Sequence, residues 1–358
     1  MKLCSITVTS DTKEAIVADA LRSVGFCDLH LIVHMATPDD PYDDTLAIAK
    51  SVAGEKYRQV DLELLGFDSI DKFRNFGLAE AHSLGADWAI QMDTDDRLLL
   101  NGLDLRKYLE DLPPEVHSLA VYTDDGEGDR TIIFRLPAQG KFVGKIHEDY
   151  SMDSPWLCPD VRMHSLPKSP EVLRARLTVD AEGLIAQCKD DPTNPRWPYF
   201  LGVSYEQLGR PLEAQVAYLE SAYVSEDRGM AAWCYFRAAY CGAEPDVVNS
   251  LALCAEGMAQ FPAMPELQVM ASHLCLALSR PVDAEAWAKM ALAHTWTKRF
   301  PEVPRLGPKS PAAHFHAPFE ALAAAYAAQK NYSAAAWAEA EGKKAEAQCE
   351  KFCKTGTI

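Results

Sequence analysis

The sequence has no apolar run approaching the roughly eighteen residues that a membrane-spanning helix needs. It has no excess of positive charge either: the formal net charge is −17. Residues 1–165 hold 16 Lys and Arg against 30 Asp and Glu, a balance of −14. A partner that grips a phosphate backbone needs a basic stripe, so the charge does not indicate a nucleic acid, and only a local groove at odds with the total would admit one. No Cys-x-x-Cys pair occurs among the ten cysteines. Scattered thiols of this kind fit a reduced, cytoplasmic chain. Cys349 and Cys353 stand at helical spacing, where a metal pair is conceivable, but the expectation there is a frayed C-terminal tail. The first residues, Met1-Lys2-Leu3-Cys4-Ser5-Ile6-Thr7-Val8, read as a strand and lack the longer apolar core and small-residue cleavage site of a signal peptide.

What is present is ordinary in proportion and specific in pattern. Apolar residues make up 48% of the 358 and charged residues 24%, as in folded globular proteins. This length accommodates two domains, or one domain and a repeat array. Strands are expected over 3–8, 29–34, 60–64 and 88–92, with helices over 12–24, 45–49 and 69–84 between them. Alternation of this kind argues for a largely parallel sheet. Beyond Asp96 the pattern changes to strands over 119–122 and 131–135, joined by a polar loop, and a further strand over 142–147. The front region therefore reads as parallel first and mixed later.

The most informative stretch is Asp87-Trp88-Ala89-Ile90-Gln91-Met92-Asp93-Thr94-Asp95-Asp96. It reads as a buried strand ending in carboxylates. In an open α/β sheet, ligands bind at the carboxyl ends of strands. Carboxylates this close repel one another unless a cation lies among them. Asp-x-Asp supplies hard oxygen donors suited to Mg²⁺ or Mn²⁺, and such an ion could neutralise a diphosphate. An acidic turn in solvent is the plain alternative for Asp-x-Asp alone.

The wider run Asp71-Lys72-Phe73-Arg74-Asn75-Phe76-Gly77-Leu78, then Ala81, Gly85-Ala86-Asp87-Trp88 and Asp93-Thr94-Asp95-Asp96, resembles the family 2 glycosyltransferases. Gly144-Lys145-Ile146-His147-Glu148 resembles that family's Val-His-Glu segment, and His164 lies where a later histidine follows a strand. The resemblance implies a GT-A fold, a Rossmann-like mixed sheet, over residues 1–165. It also implies a metal-dependent, inverting hexosyl- or pentosyltransferase that uses Mn²⁺ or Mg²⁺ and a nucleotide-diphosphate sugar, a UDP-sugar first among them. On this footing Asp93, Asp95 and His164 are the candidate metal ligands. Thr9, Asp39, Asp71, Arg74, Asn75, Asp93 and Thr94 are the candidate donor-site residues, Thr9 and Asp39 by position at strand ends. Glu148 is the candidate base and Asp149 its understudy; an inverting enzyme needs such a base to take the acceptor proton. The sequence departs from the pattern at Ser10-Asp11-Thr12, where Asn-Glu is common, at His34, where a base-contacting aspartate is common, and at Asp96, where Glu is usual.

Residues 166–358 open with the linker Pro167-Lys168-Ser169-Pro170 and continue alanine-rich and helical. Gly202, Tyr205, Gly209, Ala214 and Tyr218 fall at the spacing of a tetratricopeptide repeat, whose period is about 34 residues. A second unit carries Ala238, Cys241, Ser250, Gly257 and Pro262. A third carries Ser272, Cys275, Ser279, Ala284 and Ala291, and a fourth Ala323, Tyr326, Tyr332, Ala335 and Gly342. A Pro-rich stretch from His294 to Pro318 separates the last two, as an ordered connection or as a lid. The array would recognise an acceptor or a protein partner, or mediate self-association. Two function classes follow. The first is the glycosyltransferase. The second is a tetratricopeptide interaction scaffold whose GT-A domain is catalytically inactive, a reading that His34 and the altered first loop favour. A nucleotidyltransferase would want a Gly-rich loop after the first strand, and Val8-Thr9-Ser10-Asp11-Thr12 is not one.

Overall fold

The computed structural model describes residues 1–9, 14–34, 44–61, 69–123, 129–151, 155–295 and 311–355. It divides into two compact units, Met1–Ser169 and Pro170–Ile358. Among the described residues no helix is long and apolar enough to cross a membrane.

The first unit runs β1 (Leu3–Thr9), α1 (Glu14–Ser23), β2 (Leu29–His34), α2 (Thr45–Ala53), β3 (Tyr57–Asp61), α3 (Ile70–Ser83), β4 (Trp88–Asp93), β5 (Asp96–Leu99), α4 (Leu105–Glu110), β6 (Ser118–Thr123), β7 (Asp129–Arg135), β8 (Phe142–Val143), β9 (Asp149–Tyr150) and β10 (Trp156–Ser165). Eight strands form one mixed sheet in the order β3-β2-β1-β4-β7-β6-β10-β5; β8 and β9 form a separate hairpin. β3, β2, β1 and β4 are parallel, β7 runs antiparallel to both β4 and β6, and β10 lies parallel to β6 and antiparallel to β5.

Every residue of β1 and β2 is buried, the polar Ser5, Thr7 and Thr9 of β1 and His30 and His34 of β2 included, as fits parallel strands covered on both faces. Two cores flank the sheet. Trp88, Ile90 and Met92 of β4 join Leu98, Leu119, Val121 and Val161 on one side. Ala89 joins Cys4, Ile6, Val8, Leu78 and Phe134 on the other. Gly77 permits the second arrangement, since a Cβ there would lie 2.8 Å from Ile6 Cγ2. With only a hydrogen at that point α3 lies against β1, and Arg74, one turn earlier, reaches the end of β4.

Three expectations shift. The third strand lies at Tyr57–Asp61, and residues 62–68 are outside the described set. The strand expected over 142–147 stops at Val143, because the chain reverses through Gly144 and His147 at φ of 115° and 52°. β5 and β10 were hidden by the composition that ended the pattern. β5 begins at Asp96 itself, and β10 contains Pro159, tolerated at a register shift between Leu157 and Arg162.

His30 is buried in β2 with Nδ1 2.7 Å from Ser5 Oγ. Burial, aided by the charge of Lys56, lowers its pKa to about 4. The native ring therefore stays neutral where the unfolded ring takes a proton, below about pH 6.5. The stability this residue contributes is present above pH 6.5 and is lost as pH falls through about 4. His30→Asn is expected to flatten the fall of melting temperature between those pH values. Identical slopes in variant and wild type would remove His30 as the source.

The second unit is α-helical: α5 (Pro170–Asp190), α6 (Arg196–Gln207), α7 (Pro211–Val224), α8 (Arg228–Gly242), α9 (Val247–Gln260), α10 (Pro265–Ala277), α11 (Pro281–Ala293), α12 (Pro311–His314), α13 (Ala317–Ala328) and α14 (Tyr332–Thr355). Consecutive helices pack pairwise along the chain, so the hairpins α6/α7, α8/α9, α10/α11 and α13/α14 stack in order. Glycine sets the closest approaches. A Cβ at Gly202 would stand 2.8 Å from the Tyr218 ring, and one at Gly257 2.8 Å from Tyr235 Cβ and from Leu267 Cδ1. The turns repeat as well. Gly209 and Ser279, at φ of 72° and 57°, each precede an Arg-Pro helix start, with Arg210 paired to Glu213 and Arg280 Nε 2.6 Å from Asp283. Between the third and fourth hairpins, residues 296–310, Trp296 among them, are outside the described set, while His314 of α12 pairs with Glu266 of α10 at 3.2 Å.

The Tyr218 ring cannot retreat easily, because its hydroxyl donates to Glu206 at 2.9 Å and the side chain is fully buried in the core cluster. Gly202→Ala gains about 1 kcal/mol of helix propensity but meets an overpacking cost of about 1–3 kcal/mol. With the contact this short, a net loss of about 1 kcal/mol is expected, read as a lower urea midpoint at unchanged m-value. An unchanged or raised midpoint would show that α6 and α7 part freely.

Candidate functional site

The carboxylates Asp93, Asp95 and Asp96 stand where β4 turns directly into β5. Asp93 is the last residue of β4 and is held from two sides. Arg74 Nη2 of α3 donates to its Oδ1 at 3.0 Å, and Arg130 Nη2 of β7 to its Oδ2 at 3.0 Å. Arg74 also pairs through Nε with Glu148, the residue before β9. One nearly buried guanidinium thus joins Asp93 to Glu148.

Asp96 lies deeper. Its carboxylate accepts from the Asp93 backbone N–H at 3.0 Å, from Ser165 Oγ at 2.6 Å and from Arg130 Nη1 at 3.4 Å. Burial, and then the charge of Asp93, raise its pKa above the usual carboxylate range, with Arg130 opposing. For Arg130 burial works against the charge, but Asp93 and Asp96 outweigh it and raise its pKa. Asp95 pairs with Lys168, and its carbonyl accepts from the Leu166 N–H at 2.8 Å. The carbonyls of Thr94 and Asp96 receive Arg97 Nη1 at 2.9 and 2.7 Å. The acidic turn is therefore wired to four basic side chains.

Several expected residues meet here: Arg74, Asp93, Thr94, Asp95 and Glu148. Asn75, beside Arg74, does not face the carboxylates. Its amide exchanges two hydrogen bonds with the Phe142 backbone, at 2.8 and 2.7 Å, and so ties β8 to α3. Asp71 accepts from the Lys72 N–H at 2.9 Å in the first turn of α3. Thr9 is buried at the end of β1, in register with His34, whose Nδ1 lies 2.9 Å from Asp61 Oδ1. Asp149 is exposed in β9. His164 of β10 lies in register with Arg97. Asp39 lies outside the described residues. Among the described residues no three His, Cys, Asp or Glu side chains come together as a group able to hold a metal ion, so His164 does not complete a ligand set with Asp93 and Asp95. Sequence reasoning missed Arg130, Ser165 and Lys168. Arg130 follows an acidic loop and carries no motif, and Lys168 belongs to a stretch that reads as linker.

No family model matches the chain, and no curated protein matches it. Solved structures do. The crystal structure of MamA is 12% identical, with TM-score 0.40, and the match covers 52% of this chain and 99% of that one. A thermophilic TPR protein in Thermus thermophilus is 16% identical, with TM-score 0.34, over 49% of this chain and 89% of that one. TPR-like repeats of a Podosopora anserina putative kinesin light chain are 14% identical, with TM-score 0.35, over 51% of this chain and 98% of that one.

The chain is not read as a glycosyltransferase. The carboxylates expected to gather a metal and a sugar diphosphate are engaged instead by Arg74, Arg130 and Lys168. The physical reason is charge balance. Guanidinium and ammonium groups on the protein itself relieve the repulsion that a divalent ion was invoked to relieve.

Removing one partner of a buried ion pair strands the other. Arg74→Met is expected to cost about 3 kcal/mol, since Glu148 and Asp93 both lose the Arg74 guanidinium that joins them. Lys168→Met, at a pair 31% and 18% exposed, should cost less than about 1 kcal/mol. Urea denaturation of both variants checks the ranking; equal losses would mean that Arg74 does not organise the turn.

Proposed function

We propose that this chain is a protein-interaction scaffold built on TPR-like helical repeats, carrying a front α/β unit that is catalytically inactive. The observation that supports the first half is the stack of four hairpins whose glycines and alanines sit at the helix crossings. Each repeat in such a stack contacts its neighbours and adds to a long continuous surface, the form that repeat proteins use to receive a partner. Large apolar side chains remain on that surface: Leu212, Val216 and Tyr223 of α7, Val248 of α9 and Val282 of α11 are exposed. Leu212, Val248 and Val282 each occupy the second position of the second helix of a hairpin. The second half is supported by the Arg74–Asp93–Arg130 arrangement, in which the groups that would serve a transfer reaction are committed to one another.

Panning a displayed random-peptide library against the full chain tests the scaffold. The expected result is an enriched consensus that binds with micromolar Kd, weakened about tenfold or more, roughly 1.4 kcal/mol, by Val248→Asp with Val282→Asp at unchanged melting temperature. No enrichment, or binders indifferent to every surface substitution in the second unit, would overturn it. A melting-temperature series with nucleoside diphosphates and nucleotide sugars, with and without Mn²⁺, tests the inactive front unit. A ligand that binds only the folded state raises the melting temperature. No shift is expected, and a metal-dependent shift with one nucleotide would refute inactivity.

A further inference from the structure

The ten cysteines differ sharply in access. Eight are buried, Cys188 is half-buried, and Cys353 alone is exposed. Cys353 also has a neighbour. On α14 it stands one turn after Cys349, and side chains four apart share a helix face. Cys349 is buried in a cluster with Phe315 and Ala345, against which Phe319 and Phe352 pack. The rings of Phe315 and Phe352 are 5.7 Å apart. The helix thus carries one accessible thiol and one sheltered thiol beside each other in its last two turns.

We propose that Cys349 and Cys353 form a reversible dithiol–disulfide pair, closed by exchange with a small-molecule disulfide of the glutathione type. Exchange proceeds by attack of a thiolate on a disulfide sulfur. Cys353, being accessible, attacks first. The reagent's S–S bond breaks, a mixed disulfide forms on Cys353, and one glutathione leaves as thiolate and takes up the proton that Cys353 gave up. Cys349 then gives up its proton, and its sulfur attacks that of Cys353. The mixed disulfide breaks and the second glutathione leaves as a thiol. Two cysteine hydrogens end on two glutathione molecules, and the cysteine pair is oxidised by two electrons.

The environment fixes this order. Burial, and then the adjacent Cys353, push the Cys349 thiol up to about 11. It is a poor first nucleophile but stands beside the sulfur it must attack. A metal site is the weaker reading of the pair. Among the described residues no third His, Cys, Asp or Glu joins it, whereas closed thiolate sites for zinc use four ligands.

Closure has a structural consequence. Side chains four apart on an intact helix keep their Cβ atoms about 5–6 Å apart, and a disulfide brings them to about 3.5–4.5 Å. The last turn must unwind, which is inexpensive because α14 ends at Thr355. Unwinding draws Cys349 and Phe352 away from Phe315 and Phe319. The oxidised chain therefore loosens the contact that holds the end of α14.

The test equilibrates the full chain in glutathione buffers of graded redox poise, then quenches, alkylates and maps peptides by mass. In wild type the peptide holding both residues is expected to lose two hydrogens. Cys349→Ala, which keeps the pocket apolar, should instead accumulate one glutathione on Cys353. Cys353→Ser should show neither product, with Cys349 alkylated at least about tenfold more slowly than Cys353 in wild type. Hydrogen exchange of the amides in 349–355 should quicken on oxidation of wild type and stay unchanged in Cys353→Ser. A stable glutathione adduct on wild-type Cys353 without ring closure, or earlier oxidation of another thiol, would overturn the proposal.

Discussion

The first unit depends on one shared cation. Arg74 reaches Asp93 on the central strand and Glu148 at the hairpin, and its guanidinium also lies 5.7 Å from the Phe142 ring centroid. A charge so nearly buried is tolerated only where its partners are equally fixed. The fixing elements are those the rest of the unit supplies. Gly77 seats α3 on β1, Asn75 clamps β8 to the same helix, and Arg130 closes the far side of Asp93. Remove the close approach at Gly77 and the guanidinium no longer meets both carboxylates. The acidic turn, left to itself, would repel.

The second unit depends on the opposite chemistry, the absence of side chains where helices cross. Gly202, Gly257 and the buried alanines Ala214, Ala238, Ala284 and Ala338 set the approach of neighbouring helices. Polar fastenings join neighbouring helices as well. Arg237 and Tyr218 meet on Glu206 across α6, α7 and α8, and His314 meets Glu266. Stability in such a stack is a sum of nearest-neighbour terms, so each fastening matters to its own pair of hairpins and little beyond.

Legibility followed the range of the forces. β1, β2, β4 and α3 were readable because burial on both faces or an amphipathic stripe writes itself into consecutive residues. The four hairpins were readable because a repeated crossing demands small residues at a repeated spacing. β5 and β10 were not, since β5 starts inside the acid cluster and β10 interrupts its own pattern with Pro159. The carboxylates Asp93, Asp95 and Glu148 were identified as a group, and the structure brings Asp93 and Glu148 to one arginine. What their charge is answered by was not readable. Arg130, Ser165 and Lys168 come from 34 to 73 positions away, and no local pattern marks a residue whose only task is to meet another at that distance. A motif read along the chain shows which groups converge, and the counter-charge decides what the convergence is for.

The place of β10 bears on the order in which the chain can be finished. Among the described residues β5 pairs only with β10 and is the last strand in the sheet order, although some sixty residues separate their synthesis. A ribosome delivers residues from the N-terminus onward. Until Trp156–Ser165 have emerged, Asp96–Leu99 has no strand to lie against, and Asp96 lacks the hydroxyl of Ser165. The parallel half of the sheet, β1 to β4, is complete far earlier. The nascent chain therefore passes through a stage with a formed half-sheet and an unpaired β5, and the emergence of β10 gives β5 its partner and Asp96 its hydroxyl.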